Sequence, residues 1–209
     1  MNTYKKNKLT LLKVLRRRLI IAIERIRGVD FSSVIQPNQL GFDDKIVIRG
    51  SPSGNSYLHE LLKDIGISKN DSILDIGCSK GSAIKCMYSF PFNKIDGIEI
   101  SHILSSIAIK NFKKLGLDRT TIFNLDAVNF TNYGDYNYFY LYNPFPDSIM
   151  KLVIPALVNQ IGNQKAVIIY NNPVCHERIV EYGFKKIKEY PDEWGNGIYI
   201  YANNPNCSN

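Results

Sequence analysis

Apolar residues along the chain fall into two patterns. Between residues 8 and 27 they recur at three- and four-residue steps, as Leu12, Leu15, Leu19, Ala22 and Ile26, while Arg16, Arg17, Glu24 and Arg27 take other faces. That spacing predicts an amphipathic helix, with Gly28 as its stop. From residue 72 onward the pattern changes to short apolar runs bounded by turn residues. These predict buried parallel strands at 72–76, 94–99, 121–125, 137–142 and 165–170. Helical spacing separates them at 82–88, 102–115 and 147–161, the last interrupted by Pro155, and another helix, 57–65, precedes the first strand.

Two further runs, 184–189 and 197–201, close the pattern, with only Tyr190-Pro191-Asp192-Glu193-Trp194-Gly195-Asn196 between them. So short a link holds no crossover helix, so the two strands are expected to pair antiparallel. The fold class expected is α/β: a Rossmann-like sheet, mostly parallel, ending in an antiparallel hairpin and preceded by a helical arm. A dinucleotide-binding dehydrogenase sheet normally continues with parallel crossovers instead. Residues 29–55 are rich in Gly, Pro, Asn and Ser and read as a connector. The chain therefore divides into a basic arm (1–28), a connector and lid segment (29–55) and a main domain (56–209).

Composition adds one point. At 209 residues, with 44% hydrophobic and 22% charged, the chain suits a single soluble domain. Its net charge of +7 is lopsided: residues 1–28 carry nine Lys and Arg against Glu24, a local +8 that leaves the other residues at −1. The basic character belongs to the arm. Cys78, Cys86, Cys175 and Cys207 form no C-x-x-C pair, so a disulfide framework or zinc site is not expected, and a reducing compartment is the simpler setting. The longest apolar stretch near the start, residues 19–23, is too short for a signal or a membrane span, so a cytoplasmic location is expected.

Candidate chemistry gathers at the strand ends. Asp75-Ile76-Gly77-Cys78-Ser79-Lys80-Gly81 is a strand ending in an acid, a glycine loop and a helix start. Its G-x-S-x-G spacing is one residue tighter than the G-x-G-x-x-G loop that seats a pyrophosphate, and suits a ligand without phosphates. Asp75 can accept from an ammonium group. Glu99, at the next strand end, can accept from both ribose hydroxyls, with Ile100 against an adenine face. Asp126-Ala127 follows the third strand, where Asp126 can accept from the adenine amine. Each alone has a plainer reading, Glu99 as a surface carboxylate and Asp126 as a helix cap. Three in register argue for one nucleoside-type cofactor across the sheet edge.

These residues resemble class I S-adenosylmethionine-dependent methyltransferases, whose sheet order is usually 3-2-1-4-5-7-6. More narrowly, they are similar to a bacterial group marked by D-x-G-C-G-K-G, G-x-E-x-S and a strand ending in N-P-F. Here those motifs are Asp75 to Gly81, Gly97 to Ser101 and Asn143-Pro144-Phe145. The likeness also takes in Leu40-Gly41-Phe42-Asp43-Asp44 and Tyr170-Asn171-Asn172-Pro173, covering about residues 36–202. Ser79 stands where a glycine is usual, which is tolerated at negative φ and implies weaker or slightly altered binding rather than loss. The resemblance implies S-adenosyl-L-methionine as cofactor, held by Asp75, Ile76, Gly77, Cys78, Ser79, Gly81, Glu99, Ile100, Asp126, Ala127 and Asn143.

Asn143-Pro144-Phe145 is also similar to the [DN]-P-P-[FYW] motif of methyltransferases acting on planar amino groups. That likeness implies a catalytic role: Asn143 accepting from an amine and Phe145 stacking on the acceptor. One proline is missing, and a strand simply ended by proline is the plainer reading. An oxygen acceptor would want a general base, for which His176, after the fifth strand, is the candidate; His59 and His102 fall within helical patterns. No ligand cluster is apparent, so metal-independent transfer is expected. The acceptor class (small molecule, glycan or protein) stays open. A nucleic-acid acceptor is an alternative that the neutral body disfavours, and a non-catalytic cofactor-binding scaffold is another. The main domain carries almost no insertion, so a lid must come from residues 1–55. The basic helix has four roles open to it: covering the site, binding an anionic acceptor, lying peripherally on a membrane through residues 8–27, or packing on its own domain.

Overall fold

A computed structural model describes residues 2–35, 53–192 and 195–203, with side chains from residue 14 onward. Leu40 to Asp44 and Cys207 lie outside the described residues. Helix α1 (Asn2–Ile26) is followed by α2 (Ser56–Asp64), β1 (Ser72–Ile76), α3 (Ser82–Met87), β2 (Lys94–Ile98), α4 (His102–Leu115) and β3 (Ile122–Phe123). Then come β4 (Tyr138–Tyr142), α5 (Asp147–Ile161), β5 (Val167–Asn171), α6 (His176–Glu181), β6 (Lys185–Tyr190) and β7 (Ile198–Ala202).

The seven strands form one sheet in the order β3-β2-β1-β4-β5-β7-β6. The first five are parallel; β7 runs antiparallel to both β5 and β6. Helices cover both faces, which is why β1 and most of β2, β4 and β5 are continuously buried rather than alternating. Leu74, Ile76, Phe139, Met150 and Leu157 belong to the core under α5 and α6, and Ile73, Leu58, Ile84, Phe92 and Phe112 to the core under α2, α3 and α4. Each fully buried Leu or Ile contributes about 1.5–3 kcal/mol.

Local chemistry sets the helix limits. The Asn55 side chain accepts from Leu58 N at 3.1 Å to start α2, and Ser101 Oγ accepts from Leu104 N at 3.3 Å to start α4. Helix α5 continues through Pro155 with one backbone donor fewer.

Strand β3 is assigned only two residues, although Ile95 N, Gly97 N and Glu99 N donate to Arg119, Thr121 and Phe123 along the whole length of β2. Helix α6 was not expected from the pattern. Six residues make fewer than two turns, and only Ile179 of them is buried, too little to register as a period.

Residues 29–33 are not free connector. Val29 and Phe31 are buried in the same core as Leu58 and Phe112. Asn111 on α4 clasps the backbone of Asp30 in both directions, its Oδ1 accepting from Asp30 N and its Nδ2 donating to Asp30 O, each at 2.8 Å.

Candidate active site

Strand order reverses between β1 and β4, and the loops leaving both strands meet there, where open α/β sheets bind ligands. Gly77 opens the β1 loop at φ +81°, and a Cβ on it would lie 2.7 Å from Pro144 Cβ. The loops after β1 and β4 therefore touch, and alanine is barred from position 77 on both conformational and steric grounds. A Cβ on Gly97 would lie 2.6 Å from Cys78 Sγ, so the β2 glycine makes room for the loop's own side chain.

The loop's donors are committed within the protein. Gly77 N and Cys78 N both donate to Ile98 O at 2.9 Å, Ser79 N donates to Glu99 Oε2 at 2.9 Å, and Gly81 N donates to Cys78 O at 2.9 Å. Ser79 corrects one expectation: its φ is +50°, in the left-handed region rather than at negative φ. The donation to Glu99 fits this geometry, and a residue with a Cβ bears about 1–2 kcal/mol of strain there. Part of that strain is returned by serine's stiffer unfolded chain, about 0.4–1 kcal/mol. Ser79→Gly is therefore expected to stabilise the fold by about 0.5–1 kcal/mol net in denaturant unfolding. A destabilised glycine variant would mean that the hydroxyl makes a contact outweighing the strain.

Two carboxylates converge beside this loop. Asp75 is buried, and its Oδ2 has no hydrogen-bond partner among the described residues. Burial, and then the charge of Glu99, push its carboxyl well above the usual range. Glu99 is also buried, with Oε2 accepting from Ser79 N and Oε1 from Ser101 N at 2.8 Å. Burial nonetheless raises its titration above normal, outweighing those two donors. A buried pair of acids that no cation faces among the described residues suits a ligand that brings an ammonium and hydroxyl donors.

The remaining sequence-predicted residues divide. Ile76 is wholly inside the core, so only its backbone can face a ligand, and Ala127 is buried too. Ile100 is half-buried. Asn124, to which the sequence reading gave no role, ties the ends of β2 and β3 together: its Nδ2 donates to Glu99 O at 2.9 Å and Ile100 O at 3.0 Å. Asp126 Oδ1 accepts from Val128 N at 3.0 Å, capping a 3₁₀ turn at Ala127–Asn129. Asn143 ends β4 at φ +38°, a conformation asparagine tolerates, and its Oδ1 accepts from Tyr170 OH at 3.4 Å. Phe145 is half-buried against the α5-side core. Asn171, part of the Tyr170-to-Pro173 motif, ends β5 buried, donating to Tyr140 OH at 3.3 Å while its Oδ1 has no partner among the described residues. His176 opens α6, with its Nδ1 2.7 Å from the hydroxyl of Tyr201 and its ring edge-on to Tyr199; the preceding Cys175 N donates at 3.2 Å to the Tyr170 hydroxyl that is bonded to Asn143. Among the described residues, no group of three or more His, Cys, Asp or Glu side chains is placed to hold a metal ion, and no helix is long and apolar enough to cross a membrane.

Lys80, inside the loop, is only 4% exposed and turns toward the N-terminal segment. Its Nζ donates to Asp30 Oδ2 at 2.7 Å, Ser33 O at 2.9 Å and Ser33 Oγ at 2.6 Å. Burial of Asp30 works to raise its titration, but the bonds from Lys80 and Ser33 prevail and lower it. Its contribution to stability is thus fully present above the unfolded value near 4 and is lost as pH falls through the lower folded value. The two ends of this bridge are unequal. Asp30→Ala leaves a buried ammonium short of its counter-charge and is expected to cost about 2 kcal/mol. Lys80→Met leaves only a part-exposed carboxylate and is expected to change stability by less than about 1 kcal/mol. Equal losses in urea unfolding of the two variants would show that the bridge is not governed by burial of Lys80.

No protein-family model and no curated protein sequence matches the chain. Solved structures do. The chain is similar to a SAM-dependent methyltransferase from Aquifex aeolicus (10% identity, TM-score 0.58), covering 80% of this chain and 97% of that one. It is also similar to an RNA methyltransferase from Salinibacter ruber in complex with S-adenosyl-L-homocysteine (19% identity, TM-score 0.53; 69% and 88% covered). Against mitomycin 7-O-methyltransferase (13% identity, TM-score 0.57) it spans about half of the other protein, 52%, while 70% of this chain is covered. At these identities the likeness establishes the fold, the Rossmann-like class I methyltransferase sheet.

Proposed function

We propose that the chain binds S-adenosyl-L-methionine at the ends of β1, β2 and β3 and transfers its methyl group to a nitrogen or oxygen acceptor. One observation carries the reading: two buried carboxylates, Asp75 and Glu99, stand beside a glycine loop whose N–H groups at 77, 78, 79 and 81 are already bonded within the protein. A pyrophosphate needs such donors free. A cofactor with an ammonium and a ribose but no phosphate needs acceptors instead, and acceptors are what the strand ends offer.

When bound, the cofactor supplies an electrophilic methyl group on a positively charged sulfur. Asp75 Oδ2 accepts from the ammonium, and Glu99 keeps lone pairs for the ribose hydroxyls, its orientation fixed by Ser79 N and Ser101 N. Ile100 covers the adenine, and Asp126 serves the adenine amine with the oxygen not used in capping. Asn143, held by Tyr170 and touching the cofactor loop through Pro144, orients the acceptor. Orientation and exclusion of water supply much of the rate in such a displacement. The acceptor belongs to the small-molecule, glycan or protein classes rather than nucleic acid, because the domain beyond the arm is close to neutral.

The test is incubation with methyl-labelled cofactor and a fractionated lysate. Label entering one fraction, and failing to do so with Asp75→Asn, supports the reading. Cofactor binding without transfer to any fraction would favour a non-catalytic scaffold.

A further inference from the structure

Helix α1 leaves its apolar stripe in water. At 100° per residue, Leu15, Leu19, Ala22, Ile23 and Ile26 fall within a band of about 100°. All five are exposed, Leu19 at 61% and Ile26 at 87%. The opposite edge faces the domain: Glu24 accepts from Phe31 N at 3.1 Å and Ser32 N at 2.9 Å, and Arg17 donates to Ser32 O at 3.4 Å. The helix is thus held by its polar edge with the stripe turned outward. Arg16 borders the stripe on one side and Arg18 and Arg25 on the other, all exposed.

We propose that α1 lies on the surface of an anionic lipid bilayer, with the stripe among the acyl chains and the bordering arginines at the lipid phosphates. Charge complementarity selects this occupant. The first 28 residues carry +8 against −1 for the rest, and their single acid, Glu24, is committed to the Phe31–Ser32 backbone. A nucleic acid would satisfy the arginines but leave the stripe wet. A second copy of the helix would cover the stripe but set arginine against arginine with no acid between them. An anionic bilayer satisfies both. Because residues 29–33 are bonded to Lys80 and Asn111, docking α1 also brings the cofactor-loop side of the domain to the membrane.

The experiment is flotation of the full chain with vesicles of phosphatidylcholine alone and vesicles containing about one third phosphatidylglycerol. Binding to the anionic vesicles is expected to exceed binding to neutral ones by about tenfold or more. The double variant Leu19→Glu, Ile26→Glu is expected to lose about tenfold or more, and Arg16→Gln, Arg18→Gln, Arg25→Gln to lose the preference for phosphatidylglycerol. All five side chains are exposed, so unfolding curves should match the parent, and either variant set alone decides the matter. Failure of the full chain to float with anionic vesicles overturns the proposal, as does equal flotation of the glutamate variant. A dimer in sedimentation that this variant disperses, or duplex RNA binding without flotation, would likewise overturn it.

Discussion

Asp75→Asn is expected to stabilise the free protein while crippling its cofactor site. The Asp75 carboxyl is buried with no partner for Oδ2 among the described residues, and burial, then Glu99, raise its titration. The sign follows from linkage. Between the unfolded value near 4 and the higher folded value, the folded state holds a proton that the unfolded state has released, so stability falls as pH rises across that window. The ionised form is the one burial penalises, so the amide, which carries no charge, is expected to gain about 1–3 kcal/mol in urea unfolding above the folded value. The same substitution takes away the counter-charge for the ligand's ammonium and should weaken S-adenosyl-L-methionine by about 3 kcal/mol, roughly a hundredfold. A variant less stable than the parent across the whole pH range would show that the carboxyl is satisfied in the free protein.

Glu99→Ala is expected to cost about 2–4 kcal/mol of cofactor affinity, because it removes a charged acceptor and releases Ser79 N and Ser101 N from their positions. Glu99→Gln keeps the volume but sets an amide N–H against one of those donors, so it should fall between parent and alanine. The ligand's two halves separate the two residues. Adenosine should bind Asp75→Asn as well as the parent and Glu99→Ala much more weakly. Calorimetry with adenosine settles this, and unchanged adenosine affinity in a folded Glu99→Ala protein would remove the ribose role.

Much of this was legible along the chain, for identifiable reasons. Parallel strands covered on both faces are buried throughout and so rich in apolar residues, which made β1, β2, β4 and β5 stand out as runs, and the short link between β6 and β7 left only an antiparallel pairing. Asp75, the β1 loop and Glu99 were readable because each sits at a strand's end, and the structure bonds the loop to Glu99.

What escaped has long sequence separation or short period. Lys80 and Asp30 are fifty residues apart, and nothing near either one announces the other. Val29 and Phe31 are two apolar residues in a polar stretch, too few to show that the segment enters the core. The left-handed φ of Ser79 was missed for a different reason. Loop shape follows from where its N–H groups are bonded, here to Ile98 and Glu99, rather than from the side chain at the position.

The cofactor assignment is tested most directly by calorimetry of the full chain with S-adenosyl-L-methionine, S-adenosyl-L-homocysteine and NAD. Asp75 and Glu99 as acceptors, with the loop donors already bonded, require the first two to bind with dissociation constants on the order of micromolar and the dinucleotide to bind far more weakly. NAD binding more tightly than S-adenosyl-L-methionine would contradict the account.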